Sequence, residues 1–143
     1  MNDKEMIQKT IVDCCHNAWK EYMDSIGHAY VQIEPTDEMK ESILSGALFY
    51  IKGFREGRKP TPQEMHDEWR RYKARDGWTY GGLKDVKKKE HPCMLPYQDL
   101  PKEERQKDEV FAMAVENSIR HLMCNRHFSM SMIHRVLEGS DGS

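Results

Sequence analysis

Apolar residues over 3–26 recur at intervals of three and four: Ile7, Ile11, Cys14, Cys15, Ala18 and Tyr22. That spacing puts them on one face of an α-helix, with Gly27 as its stop. The stretch 28–35 loses the period, ends at Pro35 and reads as a connector. Ile43, Leu44, Ala47, Leu48 and Ile51 restore the stripe over 36–53 and predict a second helix. Thr36 can cap it, and Asp37 and Glu38 stand in its first turn, where the helix dipole favours negative charge. Gly53, Gly57 and Pro60 then break the chain. The third helix has the sharpest start: Thr61, Pro62, Gln63 and Glu64 spell a capping box with proline at the first helical position. Met65, Trp69 and Tyr72 share one face, and Gly77 ends it. A fourth stripe from about Pro101 to Asn125 runs through Val110, Phe111, Ala114, Val115, Ile119 and Leu122. Ser129 can cap a short fifth helix over 129–138, and the GSDGS tail is expected to fray.

Between helices three and four the pattern changes. Residues 77–97 read GWTYGGLKDVKKKEHPCMLPY. Rings, paired glycines, a lysine run and a rigid His-Pro turn make neither an apolar strand nor a polar linker. An ordered loop over 77–100 is expected, with at most a short strand, packed on helix four. Alternation in an extended stretch would put Trp78 and Tyr80 on the same side.

The chain also repeats itself. His16, Trp19, Tyr22 and Gly27 recur as His66, Trp69, Tyr72 and Gly77, both reading HxxWxxYxxxxG. Each copy is followed by a connector, a proline (Pro35 or Pro101) and a helix with an acidic start. Trp and His are rare types, so their joint recurrence is harder to obtain by chance than that of two common residues. The expected fold is mainly α: four to five helices in two pseudo-symmetric hairpins, about 3–57 and 61–125, with the loop inserted in the second. Residues 1–125 read as one domain and 126–143 as a C-terminal extension.

Composition narrows the function classes. The chain has 143 residues, 38% hydrophobic and 32% charged, with three Trp, six Tyr and four Phe, enough for one real core and too aromatic for a disordered chain. A net charge of −2 argues against duplex nucleic acid as the principal partner. The N-terminus is polar and no apolar run is long enough for a membrane span, so a cytoplasmic protein without a membrane partner is expected. The four cysteines then read as thiols. Adjacent Cys14 and Cys15 cannot easily pair, and the absence of CxxC disfavours a zinc ribbon. His121, Cys124 and His127 leave a fourth metal ligand unassigned. No metal, cofactor or catalytic residue is assigned, because no nucleophile elbow, Ser-His-Asp order or carboxylate pair stands out.

One series of motifs is specific. HDEW at 66–69, GWTYG at 77–81, Lys84-Asp85, HPCMLPY at 91–97, Leu100-Pro101 and Lys107-Asp108 fall in a single order. The series resembles the RyR domain, the repeat first described in ryanodine receptors. The resemblance is strong over about 60–110 and looser over 3–60, where the chain is similar to single-domain members from bacteria and their phages. The segment after about 122 departs from it. In the receptors these repeats are tandem helical modules, and a cleft between the halves is associated with adenine-nucleotide binding. The resemblance therefore implies a module that binds or senses a small nucleotide-like ligand, adenine or cyclic, in a cleft between the halves. A protein-interaction adaptor using the aromatic loop is the alternative, and an enzyme acting on a nucleotide comes third.

The candidate ligand-binding residues follow. Trp19 and Trp69 are candidates for a ring clamp, although a tryptophan on an apolar helical face ordinarily belongs to a core. His66 is one turn before Trp69, placed to orient the indole or meet a ligand. Trp78 and Tyr80 could line the site or pack on helices three and four. Lys84 and Lys88 are candidates for a phosphate. Asp85 can order the loop or pair with a lysine, and His91 and Tyr97 shape the turn beside the prolines.

Overall fold

Local signals set each helix end. Asn2 accepts the amide N–H of Glu5 at 2.8 Å and opens α1 (Asp3–Ser25). Ile26 closes it, and Gly27 follows at φ +84°, a left-handed conformation that favours glycine. The Thr36 hydroxyl accepts the N–H of Met39 and opens α2 (Asp37–Arg55). The capping box at Thr61 and Glu64 opens α3 (Pro62–Arg75), with both of its hydrogen bonds formed. Arg58 grips the Glu64 carboxylate with two nitrogens, and together with Thr61 holds that carboxyl down at about 2. Pro101 precedes α4 (Lys102–Asn125), and the Ser129 hydroxyl caps α5 (Met130–Leu137). The computed structural model describes residues 1–28 and 34–139, and among them the protein is mainly α. Most of the connector predicted at 28–35 and most of the GSDGS tail lie outside the described residues.

One boundary differs from the sequence reading. α2 continues past Gly53 to Arg55 and ends before Gly57, which sits at φ +93°. Gly53 is there for space. A Cβ on it would come 2.8 Å from Pro60 Cγ and 3.0 Å from the Arg58 carbonyl, because the returning chain crosses the helix at that point.

The core is continuous across the helices. Ile7, Ile11 and Cys15 of α1 meet Ala114, Val115, Ile119 and Leu122 of α4, with Ala47, Tyr50 and Ile51 of α2 and Met65 of α3. α1 and α4 share the most extensive helix interface, and the Cys14 thiol donates to the Ala114 carbonyl across it. α3 packs on both α2 and α4. α5, read from the sequence as part of an extension, puts Ile133 and Val136 into the same core. No helix among the described residues is long and apolar enough to cross a membrane.

The segment between α3 and α4 is fastened at several points. β1 (Thr79–Tyr80) and β2 (Glu90–His91) pair in parallel, Thr79 opposite Glu90 and Tyr80 opposite His91. Between them, Asp85 and Glu90 exchange two backbone hydrogen bonds of 2.9 and 3.0 Å. The Asp85 carboxylate accepts the N–H groups of Lys87 and Lys88, so it orders the turn. Lys89, at φ 55°, reaches the Asp76 carbonyl at the end of α3 with its ammonium. A 3-10 turn at Tyr97–Asp99 leads to the buried Leu100 and into α4.

Trp78 and Tyr80 do not share an environment: Trp78 is 3% exposed and Tyr80 54%. Strand alternation does not govern this pair. β1 is only two residues long, and Trp78 precedes it with its N–H bound to the Lys73 carbonyl in the last turn of α3.

Candidate functional site

The centre of the site is one face of α3. His66, Trp69 and Lys73 fall at helical spacing; His66 and Trp69 meet the 91–97 segment, and Lys73 reaches Trp78 and Glu38 of α2. His66 is 2% exposed. Its Nε2 donates to the Leu95 carbonyl at 2.8 Å, and its Nδ1 lies 3.4 Å from Asp108 Oδ2 on α4. Burial pushes the His66 imidazolium down, but Asp108 and the Leu95 carbonyl outweigh it, so its pKa is raised. Burial likewise raises the Asp108 carboxyl, offset only in part by His66. The Leu95 carbonyl and the Asp108 carboxylate, at ion-pair distance from Nδ1, therefore both favour the protonated imidazole.

His91 is the opposite case. Its Nδ1 accepts the Cys93 amide N–H at 2.9 Å, which an imidazolium cannot do. Burial, then the charges of Lys84 and Lys73, push its pKa down to about 4. The ring is therefore neutral at ordinary pH, with its proton on Nε2. Cys93 is held protonated as well: burial and the Glu104 carboxylate, which accepts from its thiol at 3.1 Å, push it up to about 12. Burial opposes ionisation of Glu104, but Lys107 at 2.9 Å and the Cys93 thiol prevail and lower its pKa.

The rings assemble around Trp69. The His66 ring lies 5.7 Å from it at 27°, and His91 presents an edge at 5.1 Å. His66 also faces Tyr97 at 6.1 Å, and His91 faces Trp78 at 6.2 Å. Trp78 is structural: its indole N–H reaches Asp76, and the Lys73 ammonium lies 5.1 Å from its ring while bonding Glu38 of α2 at 2.6 Å. Trp69 is partly exposed, the more accessible of the two indoles in this cluster.

The first half carries a reduced copy. His16 and Trp19 have the same ring separation, 5.7 Å, at 33°. His16 is buried, yet among the described residues its Nε2 has no hydrogen-bond partner, whereas His66 has Leu95. Burial, then Lys20, lowers its pKa.

The structure thus brings His66, Trp69, Trp78, His91 and Tyr97 into one cluster. Lys84 is exposed, with its charge felt at His91. Tyr80, opposite His91 in the short ladder, is exposed, as is Lys88 on the loop, and Asp85 is committed to its turn. Trp19 lies on α1 beside His16. Sequence reasoning missed Lys73, Cys93, Glu104 and Asp108. Cys93 and Asp108 carried a signal, being members of the HPCMLPY and Lys107-Asp108 motifs. Lys73 and Glu104 carried none, because only the packed helices set their partners. Among the described residues no three His, Cys, Asp or Glu side chains are placed to hold a metal.

The model of the RyR domain family matches residues 55–127, more than half of the chain. The chain belongs to the RyR domain family. The match spans α3, the loop and α4, and so includes every member of the ring cluster. In this RyR domain the HDEW motif supplies His66 and Trp69, and the Lys107-Asp108 motif supplies the partner of His66. The HPCMLPY motif supplies the carbonyl, thiol and imidazole that fix the other side. The motifs thus supply the groups that pack around Trp69 and His91.

Proposed function

We propose that this RyR domain binds or senses a small nucleotide-like ligand, adenine or cyclic, in a cleft between its halves. The supporting observation is the pair of partly exposed indoles, Trp19 and Trp69, each backed by a buried histidine ring at 5.7 Å. A planar base on an aromatic face gains about 1–3 kcal/mol per contact.

The halves, about 3–57 and 61–125, are proposed to be related by a pseudo-two-fold axis. Tyr22 of α1 donates to the Glu103 carbonyl in the first turn of α4, at 2.8 Å. In the other half Lys73 of α3 bonds Glu38 in the first turn of α2, and Tyr72 feels the charges of Glu38 and Glu41. Each HxxWxxY helix thus runs its C-terminal end onto the start of the helix that follows the proline of the other half. Lys84, beside His91, is the proposed phosphate contact. Binding is favoured over turnover because Cys93, the nucleophile in the cluster, is held as a thiol.

A thermal-shift series with mono-, di- and cyclic nucleotides tests the reading. Stabilisation should grow with ligand concentration, reaching about 2.7 kcal/mol at a hundredfold excess over Kd. It should shrink in Trp69→Phe and Trp19→Phe, which keep a ring and the fold. A flat response to every nucleotide sinks the proposal.

A further inference from the structure

Beyond the ring cluster, we infer that the loop tip over 80–88 is a docking surface for an acidic protein segment with apolar anchor positions. The tip concentrates apolar side chains that the fold leaves out. Leu83 is 84% exposed, Val86 61% and Tyr80 54%. Three such side chains within nine consecutive residues are denser than the single exposed apolar residues of an ordinary surface.

The tip is held in place. The Asp85–Glu90 bridge closes the base of the turn, and the Asp85 carboxylate caps the N–H groups of Lys87 and Lys88. At Gly81 a Cβ would come 2.6 Å from Glu90 Cβ, so the glycine lets the two arms approach. Leu83 and Val86 are therefore displayed by a fastened turn, which limits the entropy lost when a partner docks.

Charge selects the partner. Lys84, Lys87 and Lys88 surround the two aliphatic side chains, and none of the three ammonium groups is in an ion pair among the described residues. Lys73, Lys89 and Lys107 nearby all have carboxylate partners. Against the three cations stands Asp85, spent on backbone N–H groups. A partner that sets carboxylates against the lysines and apolar residues against Leu83 and Val86 answers both features. An anionic bilayer answers them less well. Asp85 lies between the two anchors, and inserting them would carry that carboxylate toward the lipid.

The test uses the full chain. A random-peptide library is selected on it, and the enriched peptides are synthesised. Enriched peptides should alternate Asp or Glu with Leu or Phe, and amide shifts on binding should centre on 80–88. L83S and V86S change exposed side chains and should keep the wild-type melting temperature. Each should weaken peptide binding about tenfold, as interface anchors do. Added salt should weaken it too, as should K87E. Enriched peptides without acidic bias, or acidic peptides indifferent to L83S and V86S, overturn the inference. So does a selection with no winner, whether or not phosphatidylserine-containing vesicles retain the wild type in place of a peptide.

Discussion

Two histidines in the same cluster are shifted in opposite directions: burial, with Lys84 and Lys73, lowers His91, whereas burial at His66 is outweighed by Asp108 and the Leu95 carbonyl. At Nδ1, His91 accepts a backbone N–H; His66 faces a carboxylate. Their contributions to stability should run in opposite directions with pH. An unfolded histidine titrates near about 6.5, above the value of about 4 for folded His91. The His91 contribution is then complete above about pH 6.5 and is lost as pH falls toward about 4, because the unfolded chain takes up the proton first. His66, raised in the fold, contributes fully below about pH 6.5 and loses that contribution as pH rises through its folded value. Ring-proton NMR titration should show His66 moving above the ordinary histidine range while His91 stays neutral into acid. In H91N, stability measured by urea unfolding should lose part of its decline between about pH 6.5 and 4. An unchanged decline would mean that His91 is not the group whose protonation destabilises the fold in that range. The indoles should separate as sharply. Trp78→Ala removes a buried ring and should cost about 3–5 kcal/mol. Trp69→Phe should cost little stability and act instead on nucleotide binding.

At the scale of the elements, the glycines of α2 carry the sharpest expectation. Gly53 has the Arg58 backbone carbonyl within 3.0 Å of its missing Cβ, whereas Gly46 has the Phe111 ring at 2.6 Å. A ring edge can swing aside; a carbonyl in a tight return cannot. Gly53→Ala should therefore destabilise by about 1–3 kcal/mol, outweighing the gain of roughly 1 kcal/mol that alanine brings to a helix interior. Gly46→Ala should cost less, and a pair of denaturation curves decides the order. The same glycine marks how far the sequence could be read. Helix starts at Thr36, Thr61 and Ser129 were legible because a cap is a bond between near neighbours in the chain, and the positive φ values at Gly27, Gly57 and Gly77 sit where helices stop. Gly53 looked like another stop because its reason, the return at Pro60, depends on where a later segment passes. The site divides along the same line. His66, Trp69, Trp78, His91 and Tyr97 could be picked out as ring-bearing members of specific motifs. That Trp78 is buried while Tyr80 is exposed, and that His66 faces Asp108, follow from how α3 and α4 pack, which periodicity does not encode.

At the scale of the molecule, the family match begins at 55, but the core does not. Ile7, Ile11 and Cys15 of α1 fill the space against Ala114, Val115, Ile119 and Leu122, and Ile51 of α2 and Ile133 of α5 join the same cluster. Without α1, the largest helix interface of the protein is gone and the apolar stripe of α4 faces water. α5 is bound into this arrangement through its contacts with α1 and α2. Ile133→Ala should thus cost about 2–5 kcal/mol, as for a fully buried aliphatic side chain, although the residue lies outside the family match. The stronger expectation concerns the matched region alone. A fragment starting at residue 55 keeps α3, the loop and α4, with all of His66, Trp69, His91 and Asp108. It should nevertheless show no cooperative thermal transition, and its amides should exchange rapidly, because the helix that carries Asp108 has lost its main support. Adding a peptide of residues 1–54 should restore the transition if α1 and α2 serve as the other half of the core. A fragment that melts cooperatively alone would show the second half to be self-sufficient, and the shared α1–α4 core would then be dispensable for placing His66 against Asp108.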